Sequence, residues 1–134
     1  MGSQRTARAV SALIRTAGLY HLHLHVADLE RSLRFYREVF GMVELFRDGP
    51  QMVFLQTPGA RDLLTLNGDA ALARSPGVAA GVDHFGFQLA PGQSLDAAIA
   101  EVEKAGGKLV RRGERGPGLG YAYVTDPDGY TIEL

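Results

Sequence analysis

"HLHLHVADLERSLRFYREVFGM", residues 21–42, changes its period halfway along. The first six residues alternate histidine with an apolar residue, the period of a half-buried strand. His21, His23 and His25 therefore share one face, and Leu22, Leu24 and Val26 share the other. Asp28 then stands where a helix N-cap belongs. Leu29, Leu33, Tyr36 and Phe40 follow at helical spacing, and Gly41 supplies the stop. Beyond it, "MVELF", "QMVFLQ" and "DLLTLN" read as three short strands separated by "RDGP" and "TPGAR". The unit is βαβββ.

The same plan returns after "GDAALARSPGVAAG", residues 68–81, a small-residue stretch that reads as a linker. "DHFGFQL" is a strand, and "SLDAAIAEVEKAGG" is a helix capped by Ser94. That helix buries Leu95, Ala98, Ile99 and Val102 and stops at Gly106 and Gly107. "KLVRR", "GYAYVT" and "YTIEL" supply three strands, the last two joined by the turn "DPDG". A period of about 60 residues is too long for a solenoid and reads as a duplicated module. Sheets of four short strands do not bury a core alone, so the two must share one. The expected fold is α+β, with two βαβββ modules forming a cup-shaped mixed β-sheet flanked by helices. It is a single domain over 19–134, with module one at 19–67 and module two at 82–134, preceded by an N-terminal arm or short helix over 1–18.

At 134 residues and 46% hydrophobic content the chain suits one compact domain. A net charge of -1 gives no reason to expect a nucleic-acid or membrane partner. There are no cysteines, which removes disulfides, thiolate metal sites and cysteine nucleophiles together. Any metal must be held by nitrogen and oxygen. No apolar run approaches the roughly 20 residues that span a bilayer. The first residues carry Arg5, Arg8 and Arg15 without the apolar core of a secretory signal, so a cytoplasmic location is expected.

"HLHLHVADLERSLRFYREVFGM", taken with "DHFGFQL" and "VTDPDGYTIEL", resembles the vicinal oxygen chelate superfamily. That family includes glyoxalase I, extradiol ring-cleaving dioxygenases, methylmalonyl-CoA epimerase, fosfomycin-modifying transferases and bleomycin-binding proteins. The resemblance runs from His21 to the C-terminus. It implies metal ligands on the first and last strands of each module. These fall on His21, seven residues before the aspartate of "VAD", on His84 opening "HFGF", and on Glu133 within "GYTIEL". The remaining position is Thr65, where glyoxalase I usually carries a glutamate ligand. Two histidines and one carboxylate leave adjacent open positions on a metal, which suits Lewis-acid chemistry on a substrate held through two oxygens. One divalent ion is implied, with Fe, Mn, Ni, Co and Zn all compatible with these ligands.

His23 and His25 line the cup beside that centre. An imidazole titrates near neutrality, so His23 is the candidate general acid or base, with His25 a rim or structural residue. Tyr123, ten residues before Glu133, resembles a tyrosine of the extradiol dioxygenases and fosfomycin transferases that contacts substrate oxygen on the metal. It is the second catalytic candidate. Thr65 in place of glutamate argues against a standard glyoxalase I and weakens the epimerase. Ala70 stands where two-domain dioxygenases place another catalytic histidine. "GERGPGLG" lacks the lysine and serines of the fosfomycin enzymes. "RRGERGPGLG" also lacks the context of a phosphate-binding loop and reads as a flexible loop over the cup mouth, where Arg111, Arg112 and Arg115 either meet an acidic substrate or, as the favoured reading, stand in solvent. The reading is a metal-dependent enzyme acting on a small molecule with two neighbouring oxygens, and working as a homodimer. It leans to extradiol-type dioxygenase chemistry, with a glyoxalase-like lyase or isomerase next. A non-catalytic drug- or metabolite-binding protein is the third reading.

Overall fold

The computed structural model describes residues 15, 17–72 and 82–134. The expected N-terminal arm, Arg15 and residues 17 and 18 apart, and most of the expected linker lie outside the described residues. Module one runs β1 (His21–His25), α1 (Leu29–Phe40), β2 (Val43–Arg47), β3 (Met52–Gln56) and β4 (Leu63–Asn67). Module two runs β5 (Phe85–Gly86), α2 (Leu95–Lys104), β6 (Lys108–Glu114), β7 (Gly120–Thr125) and β8 (Thr131–Glu133). Each module makes its own four-stranded mixed sheet, ordered β1-β4-β3-β2 and β5-β8-β7-β6. The first strand of each pairs in parallel with the last, and the other pairs are antiparallel. The fold is α+β with the expected topology.

Both helices begin as their sequence dictates. The Asp28 carboxylate accepts from the Arg31 N–H at 3.1 Å, and the Ser94 hydroxyl accepts from the Ala97 N–H at 3.2 Å. Gly41 ends α1 in the left-handed region at φ 65°. At Gly107 a β-carbon would collide with the Thr125 carbonyl and the Val102 side chain, so only glycine lets α2 turn this tightly into β6. One core runs through both modules. Leu24, Leu33, Phe35, Tyr36, Val53 and Leu66 from the first join Ile99, Val102, Val124 and Ile132 from the second. Apolar residues of β3, β4, β7 and β8 alternate inward, as a half-buried sheet requires.

The modules are tied by a polar seam that the sequence did not announce. The "DPDG" turn between β7 and β8 reaches across to α1. The Asp128 carboxylate accepts from the Ala27 N–H at 3.0 Å, the Arg31 guanidinium at 2.9 Å and the Ser32 hydroxyl at 3.0 Å. The Tyr36 hydroxyl donates to Asp126 at 2.8 Å, and the Tyr130 hydroxyl donates to the His25 carbonyl at 2.6 Å. Phe40 stacks on Phe87 with centroids 4.1 Å apart.

Two expectations need correction. "DHFGFQL" was expected to be a full strand, but only Phe85 and Gly86 pair, because their partner β8 is itself three residues long. The chain then leaves the sheet for the turn at Pro91–Gly92. Leu95 and Ala98, both expected in the core, are only half-buried, and Ile99 and Val102 carry the inner face of α2.

Candidate active site

Each sheet has one face on the shared core and one open face, and the candidate ligand and catalytic residues stand on an open face or its edge. On module one, β1 aligns His23 with Thr65 and His25 with Asn67. The His21 Nε2 atom lies 2.6 Å from the Thr65 hydroxyl, which is fully buried beneath it. The three imidazoles step along the strand with centroids 6.3 Å and 5.4 Å apart. His21 also stacks on Phe54, which stacks in turn on Phe46 at 4.3 Å.

Asn67 fixes the proton on His23. Its side-chain oxygen accepts from the Asp69 N–H at 3.0 Å, which turns its amide nitrogen toward His23 Nε2 at 3.3 Å. A nitrogen that accepts cannot carry the proton, so neutral His23 holds it on Nδ1. Desolvation by burial, then the neighbouring imidazoles of His25 and His21, lower the His23 pKa below the usual histidine value. His25 is half-buried, with an Nδ1 atom that has no hydrogen-bond partner among the described residues. It sits nearer structure than rim, since its carbonyl receives Tyr130.

On module two the carboxylate and the histidine meet. His84 Nε2 lies 3.0 Å from Glu133 Oε1, and its Nδ1 lies 2.6 Å from Asp83. Those contacts, with the Asp83 hydrogen bond the largest, raise the His84 pKa. Arg115 holds the other Glu133 oxygen at 2.7 Å and keeps that carboxylate below its usual value, more strongly than Tyr123 or His84 does. The Tyr123 ring meets His84 edge-on at 4.9 Å, and Tyr121 packs against Tyr123 at 5.6 Å. A cavity of about 800 Å³ opens beside the pair, between Phe87, Gln88, Leu95 and Leu119.

Thus His84, Glu133 and Tyr123 converge, and His21 and His23 share the other open face. Among the described residues, no three histidine, aspartate or glutamate side chains gather where one ion could sit. The donor set still fits a metal: imidazole nitrogen and carboxylate oxygen are adjacent in module two, and an imidazole with a hydroxyl stands in module one. Arg111, Arg112 and Arg115 are exposed, as expected, and two of them also pair across the surface: Arg115 with Glu133, and Arg112 with Asp96 of α2 at 2.6 Å. The signal was available in the alternation of β6, which separates Arg111 and Arg115 from Arg112. Asn67 and Asp83 carried no signal; a polar residue beside a histidine is common on any strand.

Paired βαβββ modules with histidine and carboxylate on their open faces define a class of small α+β protein in which the sheet faces hold the chemistry. Within it, residues 18–134 match the Glyoxalase/Bleomycin resistance protein/Dioxygenase superfamily, and the chain belongs to that family. It is 35% identical over 124 residues to the lactoylglutathione lyase GLX1 of Arabidopsis thaliana, covering 85% of this chain but only 42% of that protein. It is 34% identical over 129 residues to the lactoylglutathione lyase of Haemophilus influenzae, covering 87% of this chain and 90% of the other. A solved glyoxalase-related enzyme from Fulvimarina pelagi superposes with a TM-score of 0.69 at 28% identity, covering 88% of this chain and 86% of that one. In the described residues no helix is long and apolar enough to cross a membrane.

Proposed function

We propose that this protein is a metal-dependent, glyoxalase-like lyase acting on a glutathione adduct, with its site completed between two copies of the chain. The lean toward dioxygenase chemistry gives way here, because the relatives named above are lactoylglutathione lyases. Lactoylglutathione carries a carbonyl and a hydroxyl on adjacent carbons, the paired oxygens that such a centre would chelate. The observation that carries the reading is the 3.0 Å approach of His84 to Glu133 on an open sheet face. His21, on the other open face, supplies the third ligand from the partner protomer. The metal would supply Lewis-acid polarisation of the substrate oxygens.

The chain's own residues have the remaining work. With Thr65 in place of a carboxylate, proton transfer falls to His23: its neutral ring takes the substrate's C–H proton on Nε2, in place of the Asn67 amide, as negative charge builds on the neighbouring oxygen, and the imidazolium so formed returns that proton to the adjacent carbon. Tyr123 donates its phenolic proton as a hydrogen bond to the same developing charge. Thr65 holds the His21 ring in place. His23→Gln should lower kcat by about 10²–10⁴-fold at unchanged metal content.

Elemental analysis of anaerobically purified protein is the primary test. About one equivalent of a divalent metal per site is expected in wild type, lost in His84→Ala and Glu133→Ala, together with lactoylglutathione consumption. Wild-type protein that takes up no metal on reconstitution sinks the reading. Iron with oxygen uptake on catechols, and no lyase activity, would return it to extradiol chemistry.

A further inference from the structure

Strand β1 carries an imidazole at every second position, but the two steps between them differ. The ring centroids of His21 and His23 are 6.3 Å apart, while those of His23 and His25 are 5.4 Å apart, with planes 38° from one another. With metal–nitrogen bonds of about 2.0–2.1 Å, two imidazoles at a tetrahedral angle on one ion have their centroids about 5 Å apart. The second step is already close to that spacing. The first reaches a shared ion only from nearly opposite sides, which two side chains rising from one strand face do not do. We infer that His23 and His25 chelate one further divalent cation through a ring nitrogen each, and that this ion inhibits the enzyme by occupying His23.

Three features separate this pair from two histidines that merely share a strand. The backbone beneath them is fixed: β4 holds His23 opposite Thr65 and His25 opposite Asn67, the Val26 N–H donates to the Asn67 carbonyl at 2.9 Å, and the His25 carbonyl accepts from Tyr130. Chelation therefore orders little beyond the two rings. Neither ring gives up a strong bond to take an ion. The His25 Nδ1 atom is buried with no hydrogen-bond partner among the described residues, and His23 Nε2 meets the Asn67 amide only at 3.3 Å, whereas His21 Nε2 is engaged by Thr65 at 2.6 Å. The donors are also selective. Two neutral imidazoles, with no third histidine, aspartate or glutamate gathered on them among the described residues, suit copper(II), nickel(II) and zinc(II) and not magnesium or calcium. Water completes the coordination. The inhibitory role rests on the lyase reading, which makes His23 Nε2 the atom that takes the substrate's proton; the chelate itself does not.

The test is calorimetric titration with copper(II) of the full chain carrying His84→Ala and Glu133→Ala, which lacks two of the ligands proposed for the catalytic ion. About one equivalent should still bind, and electron paramagnetic resonance should show two nitrogen donors. Adding His23→Gln or His25→Gln should each weaken that binding at least about tenfold, since a chelate of two becomes a single ligand. Adding His21→Gln should change nothing, and magnesium should give no heat. Copper binding that survives His25→Gln, or that is lost with His21→Gln instead, overturns the site. In the metal-loaded wild-type chain, excess copper should stop lactoylglutathione consumption. His25→Gln, which leaves His23 in place, should keep its turnover and lose that inhibition. Equal inhibition of both proteins would mean that copper acts by replacing the catalytic ion, and together with undiminished turnover in a copper-saturated wild type it is the result that overturns the inhibitory role. Failure of the lyase reading looks different: no lactoylglutathione turnover by metal-loaded protein, with copper still held by His23 and His25.

Discussion

Asp126 is 2% exposed and accepts three hydrogen bonds: from the Tyr36 hydroxyl at 2.8 Å and from the N–H groups of Asp128 and Tyr130, both at 2.9 Å. Burial nevertheless dominates, and its pKa lies above the usual carboxylate value. Burial, followed by the facing Asp126 charge, also drives the Tyr36 phenol well above its own. An acid whose folded pKa is raised binds its proton more readily folded than unfolded. Its contribution is therefore most favourable below the unfolded value, near 4, and declines as pH rises through the higher folded value. Asp126→Asn cannot ionise and escapes that decline, although its amide satisfies the three donors less well. The variant should be the less stable protein near pH 4, and the gap should narrow as pH rises toward neutrality. Urea midpoints measured across that range decide it: parallel curves for the two proteins would mean that the carboxylate carries no buried-charge penalty.

Helix α1 is capped twice, once from its own sequence and once from the far end of the chain. Asp28 bonds the Arg31 N–H, while Asp128, whose side chain is 1% exposed, gathers the Ala27 N–H, the Arg31 guanidinium and the Ser32 hydroxyl. Removing a local cap costs about 1 kcal/mol. Removing a buried carboxylate that satisfies three donors, one of them charged, should cost about 2–4 kcal/mol. Urea unfolding should therefore rank Asp128→Ala well below Asp28→Ala in stability; equal losses would mean that the seam between modules contributes little. The same helix marks how far the sequence could be read. Asp28, the apolar positions of α1 and Gly41 each act within a few residues, and local chemistry sufficed to place them. Asp128 acts on a residue 101 positions away, and "DPDG" looks like a turn whether or not it caps a helix. The brevity of β5 was hidden for a similar reason: its length is set by its partner strand. Site residues followed the same division. The alternation of β1 put three histidines on one face, and the family resemblance picked out His84 and Glu133. That Thr65 would bond His21, and that Arg115 would hold Glu133, depends on strand register, which no single segment encodes.

Across the whole molecule, the proposed ligand positions divide two and two. His21 and Thr65 pair on the first sheet, and His84 and Glu133 pair on the second, while the seam from Asp126, Asp128 and Tyr130 to α1 fixes how the two modules meet within a chain. The open faces also carry apolar surface that a partner could cover. Val43 and Phe46 line up with the open-face residues of β3, and with Leu45 and Val110 they are all more than 40% exposed on the outer strands. In a two-fold dimer the His21 face of each protomer would meet the Glu133 face of the other, giving two sites, each drawn from both chains. His21→Ala and Glu133→Ala should then be inactive as separate preparations. Unfolded together and refolded, half of the dimers would be hybrids. In each hybrid one site carries both lesions, and the other joins an intact His21 to an intact Glu133. Activity should return to about a quarter of wild type, the statistical share of intact sites in a two-site dimer. Sites built within single chains would give none, since every chain carries a broken one. The refolded mixture thus separates the two architectures by a single rate measurement, with light scattering used to confirm that dimers have formed.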